Sequence, residues 1–188
     1  RAMDNRAIES EDLLVRLVTA VGKYWICKRT PNHAYEAMEC IGGSGVMEDS
    51  MMPRLFRESP VNAIWEGSGN VQCLDVLRAM SKTPAVVDAF FAEVGLARGA
   101  HAALDRHVAD LARDFKDLED FEYRARDIVD RMALAIQAAL LVRHAPGFVS
   151  DAFCRSRLEQ LGQHNYGSLP RGVDVAAIIA RATPQAGT

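Results

Sequence analysis

The chain has 188 residues, 49% of them hydrophobic, enough to fill one sizeable core or two small ones in a globular protein. Its 22 basic and 25 acidic residues leave a formal charge of −3, so no global field draws it to nucleic acid or to an anionic membrane surface. The four cysteines, Cys27, Cys40, Cys73 and Cys154, lack CxxC spacing and companion histidines, which argues against a zinc site and for buried, reduced thiols of a cytoplasmic protein.

No stretch approaches the roughly 18–20 apolar residues of a membrane span, and the first residues lack the basic-then-apolar pattern of a signal peptide. The chain opens on Arg1 and enters an amphipathic pattern almost at once, as the start of a fragment would. From Ser10 to Arg29 the apolar residues Leu13, Leu14, Leu17, Val18, Val21, Trp25 and Ile26 fall at helical spacing, with Ser10 as the expected N-cap. Pro31 is expected to break or kink this helix, which resumes over Ala34 to Ile41 and ends at Gly42-Gly43. A loop follows through Gly45. A short helix is expected from Met52 to Glu58, with Pro53 in its first turn and Pro60 closing it. Trp65 to Gly69 reads as irregular.

Asn70 starts the next helix, whose apolar side is predicted to be Val71, Leu74, Leu77 and Met80 and which stops near Thr83-Pro84. Beyond it, helices are predicted over Val86 to Leu96, Ala100 to Phe115, Glu119 to His144, Val149 to Leu161 and Val173 to Ala182, with a frayed tail from Pro184. The longest is expected to bury Ile128, Val129, Met132, Ile136, Ala139 and Leu140 and to expose Arg124, Arg126, Asp127, Asp130 and Arg131. No segment alternates at period two, so the fold class is all-α.

The stretch Glu39 to Arg78 differs from the rest, crowding two glycine clusters, the run Pro-Arg-Leu-Phe-Arg-Glu and a lone carboxylate, Glu66, between Trp65 and Gly67. Gly42 and Gly43 let backbone approach a phosphate, and the amides of Gly69 and Asn70 open a helix whose dipole favours anions; equally, such glycines simply cap helices. Neither cluster fits GxGxxG. Glu66 either projects into an apolar cleft, where desolvation makes a carboxylate a better base, or stabilises the helix beginning at Asn70. Arg54 and Arg57 share a helix face and would hold Glu58 or a phosphate, the ion pair being the simpler reading.

Together, the Gly-Gly pair, Pro53-Arg54-Leu55-Phe56-Arg57-Glu58 and Ile64-Trp65-Glu66-Gly67-Ser68-Gly69-Asn70 resemble the carboxy-terminal domain of the acyl-CoA dehydrogenases, with motifs Q-x-x-G-G, R-x-x-R-[DE] and I-[YW]-E-G-[TS]. The runs Lys23 to Arg29 and Asn70 to Arg78 are similar to the AidB-like, alkylation-response branch of that superfamily. The resemblance implies that residues 1–83 form the second half of the dehydrogenase helical bundle and residues 84–188 an additional helical domain. It implies Glu66 as the base that takes the α-proton of an acyl-CoA, and FAD contacts at Ser68 and Asn70. It also implies passage of Gly42 and Gly43 close to the flavin nucleotide's phosphates, typically across a subunit interface. Glu39 stands where the family usually has glutamine, so its own phosphate contact is in doubt, a carboxylate being repelled by phosphate. Trp65 in place of the commoner tyrosine implies a differently shaped acyl pocket.

The implied whole is a homotetrameric flavoprotein oxidoreductase of fatty acid metabolism. Its other domains are absent here, so this chain alone is expected to bind FAD weakly or not at all and not to turn over. The branch's link to DNA repair implies a rival in which the last domain binds duplex DNA, or only supports oligomerisation. Against DNA binding, the chain from Val86 onward carries 12 basic and 14 acidic residues, interspersed and not in a stripe, although Arg155, Arg157, Arg171 and Arg181 are candidates for a cluster.

Overall fold

The computed structural model describes residues 1–117, 119–159 and 166–184. Every regular element among them is helical: α1 (Glu9–Ile41), α2 (Met52–Glu58), α3 (Gly69–Lys82), α4 (Ala85–Gly95), α5 (Ala102–Asp114), α6 (Ala125–His144), α7 (Gly147–Arg157) and α8 (Val175–Ala182). Short 3₁₀ segments, Gly42–Val46 and Ser59–Ala63, follow α1 and α2. The chain divides into two compact units, Arg1–Ala92 with Asp117–Ala133 and Glu93–Lys116 with Leu134–Thr188.

In the first unit, α1 is one uninterrupted helix of 33 residues that runs through Pro31. Of the expected break or kink, the break does not occur, because proline removes one N–H and crowds one carbonyl, a local cost in a helix held by its packing against α2, α3 and the 3₁₀ segments. Its N-terminus also departs from expectation: Ile8, not Ser10, is the N-cap, with no side-chain cap, and Glu9, Glu11 and Asp12 place negative charge in the first turn where the dipole favours it. Leu14, Leu17, Val21 and Tyr24 of α1 are buried, as are Cys73, Val76 and Ala79 of α3, while Ile26 is exposed. The buried stripe of α3 is therefore one residue away from the predicted one, and Val71 and Leu74 face outward. Both stripes have three-residue spacing, so period alone could not choose between them. Pro60 does not close α2 but sits in the first turn of the following 3₁₀ segment.

α6 begins at Ala125, six residues later than predicted, because the chain before it is held in turns. Asp117 accepts from the Glu119 N–H and from Arg124, whose guanidinium also takes the Glu119 carbonyl, and Asp120 adopts a φ of +48°. Ile128, Val129, Met132 and Ala139 are buried as predicted, but Leu140 is exposed and Asp130 is half-buried. In the second unit α7 packs against α5 and α8. α7 starts at Gly147 behind Pro146, and its predicted end at Leu161 lies outside the described residues, as does most of the predicted tail. Asp174 caps α8 by accepting from the Ala177 N–H at 2.9 Å.

Candidate active site

All the candidate residues lie in the first unit, at two places along α1. One is a turn between the Ser59–Ala63 3₁₀ segment and α3. Here Glu66 has a φ of +50° and Gly67 a φ of +101°, consecutive residues in left-handed backbone. Glycine adopts this readily, whereas a side-chain-bearing residue loses about 1–2 kcal/mol. A Cβ on Gly67 would also lie 2.4 Å from the Gln72 Nε2. That amide instead donates to the Glu66 carbonyl at 3.0 Å, bridging the turn from α3. Among the described residues no acceptor takes the Glu66 N–H. The Glu66 side chain is exposed on this chain, so the apolar cleft expected around it is not built from these residues.

Ser68 is the N-cap of α3, with the extended backbone of a cap (φ −63°, ψ 169°), yet its hydroxyl makes no capping bond. The 14-residue helix α3 therefore presents its first amides and the positive end of its dipole beside an uncommitted hydroxyl. Asn70 is exposed, and its side-chain oxygen accepts from the Arg126 Nε at 2.6 Å. Behind it, Gly69 lies 3.4 Å, from a built Cβ, to the Tyr24 ring. The Tyr24 hydroxyl bonds Asp130; burial pushes the tyrosine well above its usual range and raises the Asp130 carboxyl too, Tyr24 acting in the opposite sense on Asp130. Burial likewise lifts the Cys73 thiol to about 11, leaving it an inert core group.

The second place is the C-terminus of α1. Gly42 ends the helix with φ +73° and donates its N–H to the Glu39 carbonyl. Gly43 has no unusual φ, and a Cβ on it would meet nothing within 4 Å, so this chain's own packing gives no reason for glycine there. Glu39 is exposed beside them. The Lys23 side chain of α1 touches the Glu66 turn, so the Gly-Gly end lies about 27 Å further along the helix at 1.5 Å per residue. The structure thus brings Glu66, Ser68 and Asn70 together and does not bring Glu39, Gly42 and Gly43 to them.

Between the two places, Thr30, His33, Ala34 and Ala37 of α1 face Met52, Leu55 and Glu58 of α2 across an open cavity of about 410 Å³. The charged motif residues here are paired on the surface, Arg54 with Glu58 at 2.9 Å and Arg57 with Glu48 at 2.7 and 3.1 Å. Of the cysteines, Cys73 and Cys154 are buried, but Cys40 is exposed, contrary to expectation. Among the described residues no group of His, Cys, Asp and Glu is arranged to hold a metal, and no helix is long and apolar enough to cross a membrane.

The first unit is all-helical, with an E-G-S-G-N turn opening one helix and a Gly-Gly pair closing another. Residues 1–81 match the family model "Acyl-CoA dehydrogenase, C-terminal domain". It is 39% identical over 162 residues to AidB of Escherichia coli (strain K12), covering 86% of this chain and 30% of that protein. It is 40% identical over 85 residues to acyl-CoA dehydrogenase family member 11 of Caenorhabditis elegans, covering 45% of this chain and 14% of that protein. The crystal structure of Caenorhabditis elegans ACDH-11 in complex with C11-CoA matches with a TM-score of 0.74 at 28% identity, covering 85% of this chain and 31% of that one. The chain therefore spans under a third of the length of these relatives.

Proposed function

We propose that this chain supplies the catalytic-base turn and part of the flavin nucleotide site of an FAD-dependent acyl-CoA dehydrogenase, which converts acyl-CoA thioesters to trans-2-enoyl-CoA. The observation that carries the reading is Glu66 in left-handed backbone with an uncommitted N–H, followed by an uncapping Ser68 at the start of α3. The Glu66 carboxylate takes the α-proton of the acyl group. Its own backbone N–H hydrogen-bonds the thioester carbonyl, stabilising the charge that develops there as the proton leaves. FAD, when bound, supplies the acceptor for the β-hydride.

The residues present fit the nucleotide. The Ser68 hydroxyl and the Asn70 amide group would hold it beside the positive end of α3, and Gly43, where a Cβ would meet nothing within 4 Å, would admit a phosphate to the backbone. Gly42 and Gly43 lie too far from Glu66 along α1 to serve that same end of the molecule, which favours their meeting the nucleotide of a neighbouring subunit in a homo-oligomer. The large apolar residues exposed at the turn, Ile64 and Trp65, fit a surface covered by further chain, as expected of relatives of which this chain covers under a third. A division near residue 83 into a dehydrogenase part and an added helical domain is part of this reading, supported by the family match ending at residue 81.

The test is anaerobic flavin bleaching of the full-length protein by a panel of acyl-CoAs, with Glu66→Gln as the control. Bleaching by at least one thioester is expected, slowed by Glu66→Gln at least about 10²- to 10⁴-fold, as loss of a positioned base demands. Equal bleaching by the variant would remove Glu66 from the chemistry.

A further inference from the structure

The side chain with the most demanding geometry near the site lies outside the three dehydrogenase motifs and has been given no role so far. Lys23, one residue before the last buried residue of α1, Tyr24, extends to the turn that carries Glu66. There its Nζ donates to three backbone carbonyls, Asn62 at 3.0 Å, Trp65 at 3.0 Å and Gly67 at 2.7 Å. An ammonium has three protons, and all three are taken. The accepting carbonyls bracket Glu66 on both sides. They converge on one point, an arrangement in which their dipoles oppose one another unless a cation sits between them. A lysine on an open surface would keep its protons in water and its stem mobile. Here it is committed to backbone in a half-buried setting.

We propose that Lys23 is the positioning residue of the catalytic turn, its ammonium holding residues 62–67 in the left-handed path that fixes both the Glu66 carboxylate and the Glu66 N–H. Gln72 bridges the turn from α3 through the Glu66 carbonyl, and Lys23 grips it from α1, so the turn is fixed between two helices that pack on each other. The proposal deepens the dehydrogenase reading and rests on it for its catalytic arm. Its structural arm stands alone.

The experiment uses the full-length protein with Lys23→Met, which keeps most of the stem, and Lys23→Ala, which leaves room for a replacement amine. Hydrogen exchange read by mass spectrometry addresses the clasp directly. The Ile64 and Trp65 amides bond the Val61 carbonyl at 3.0 and 3.1 Å and should exchange faster in both variants, with the Cys73 to Ala79 part of α3 unchanged as internal control. In turnover, kcat should fall about 10²-fold, the scale of an ångström-sized misplacement of a reacting group, with KM for the acyl-CoA within about twofold. Added n-propylammonium should restore part of the kcat of Lys23→Ala and none of that of Lys23→Met, whose side chain fills the space. Unchanged exchange over residues 61–67 would overturn the clasp. Unchanged kcat, or a loss that propylammonium cannot restore in Lys23→Ala, would overturn its positioning role. If the unaltered protein is bleached by no thioester, the dehydrogenase reading fails by itself, and the exchange result still decides whether Lys23 organises the turn.

Discussion

The Glu66 turn and the helices of the second unit handle polar groups in opposite ways. Around the turn, a serine at an N-cap does not cap, an N–H has no acceptor among the described residues, and Ile64 and Trp65 are exposed. In the second unit the charges close on one another: Arg143 with Glu93 at 2.7 Å, Arg106 with Glu159 at 3.1 Å and Arg155 with Asp151 at 3.2 Å. Arg155 also donates to the Arg171 carbonyl at 2.8 Å, so its guanidinium, one of those considered for a phosphate-binding cluster, is engaged internally. Groups left open mark where a ligand or further chain is received, and groups closed locally mark a region whose surface asks for little.

This contrast can be broken most severely at Gly67. Gly67→Ala places a Cβ in left-handed backbone and against Gln72, and is expected to cost about 1–3 kcal/mol, seen as a lowered melting midpoint together with loss of flavin bleaching. A normal midpoint and normal bleaching would mean that the turn is not tightly specified. Beneath the turn, Tyr24→Phe deprives half-buried Asp130 of its phenolic donor, an expected loss of about 1–2 kcal/mol. The sign of its pH dependence follows from Asp130, whose folded value is raised above 3.8. Its favourable contribution is fully present below that unfolded value and is lost as pH rises through the folded one. Because the Tyr24 bond lowers the folded value, Tyr24→Phe should extend this loss to higher pH, and Asp130→Asn should abolish it. Melting midpoints measured from acid to neutral pH in the three proteins would reveal the order.

The smallest effects sharpen the other side of the comparison. Duplex DNA should show no salt-dependent affinity for the protein through its second unit, because arginines already paired with carboxylates release few counterions. A log–log salt slope of several units, removed by Arg155→Ala, would reverse that conclusion.

How far the sequence carried the reading differs by element. The start of α2 and the C-terminus of α3 were legible because Pro53 and Pro84 punctuate them locally. The helical continuity of α1 through Pro31 was not, since a proline advertises its local cost while the packing that outweighs it comes from elements later in the chain, α2, α3 and the 3₁₀ segments. The buried face of α3 was misjudged because apolar residues occupy two stripes, and only the partner decides which is inside. Glu66, Ser68 and Asn70 became candidates through a motif. Lys23 and Asp130 were not assigned roles, because a lysine on a helix and an aspartate beside other charges look like solvated surface until tertiary structure brings carbonyls or a tyrosine to them.

Glu66 shares its left-handed conformation among non-glycine residues only with Asp120 in the described chain. Glu66→Gly should therefore melt higher than the unaltered protein, by up to about 1 kcal/mol, since relief of the strain exceeds the entropy that glycine adds to the unfolded chain. A carboxylate at such a position is one that drift toward stability would remove. Its retention would therefore report a demand on the side chain itself, which on the proposed reading is proton abstraction.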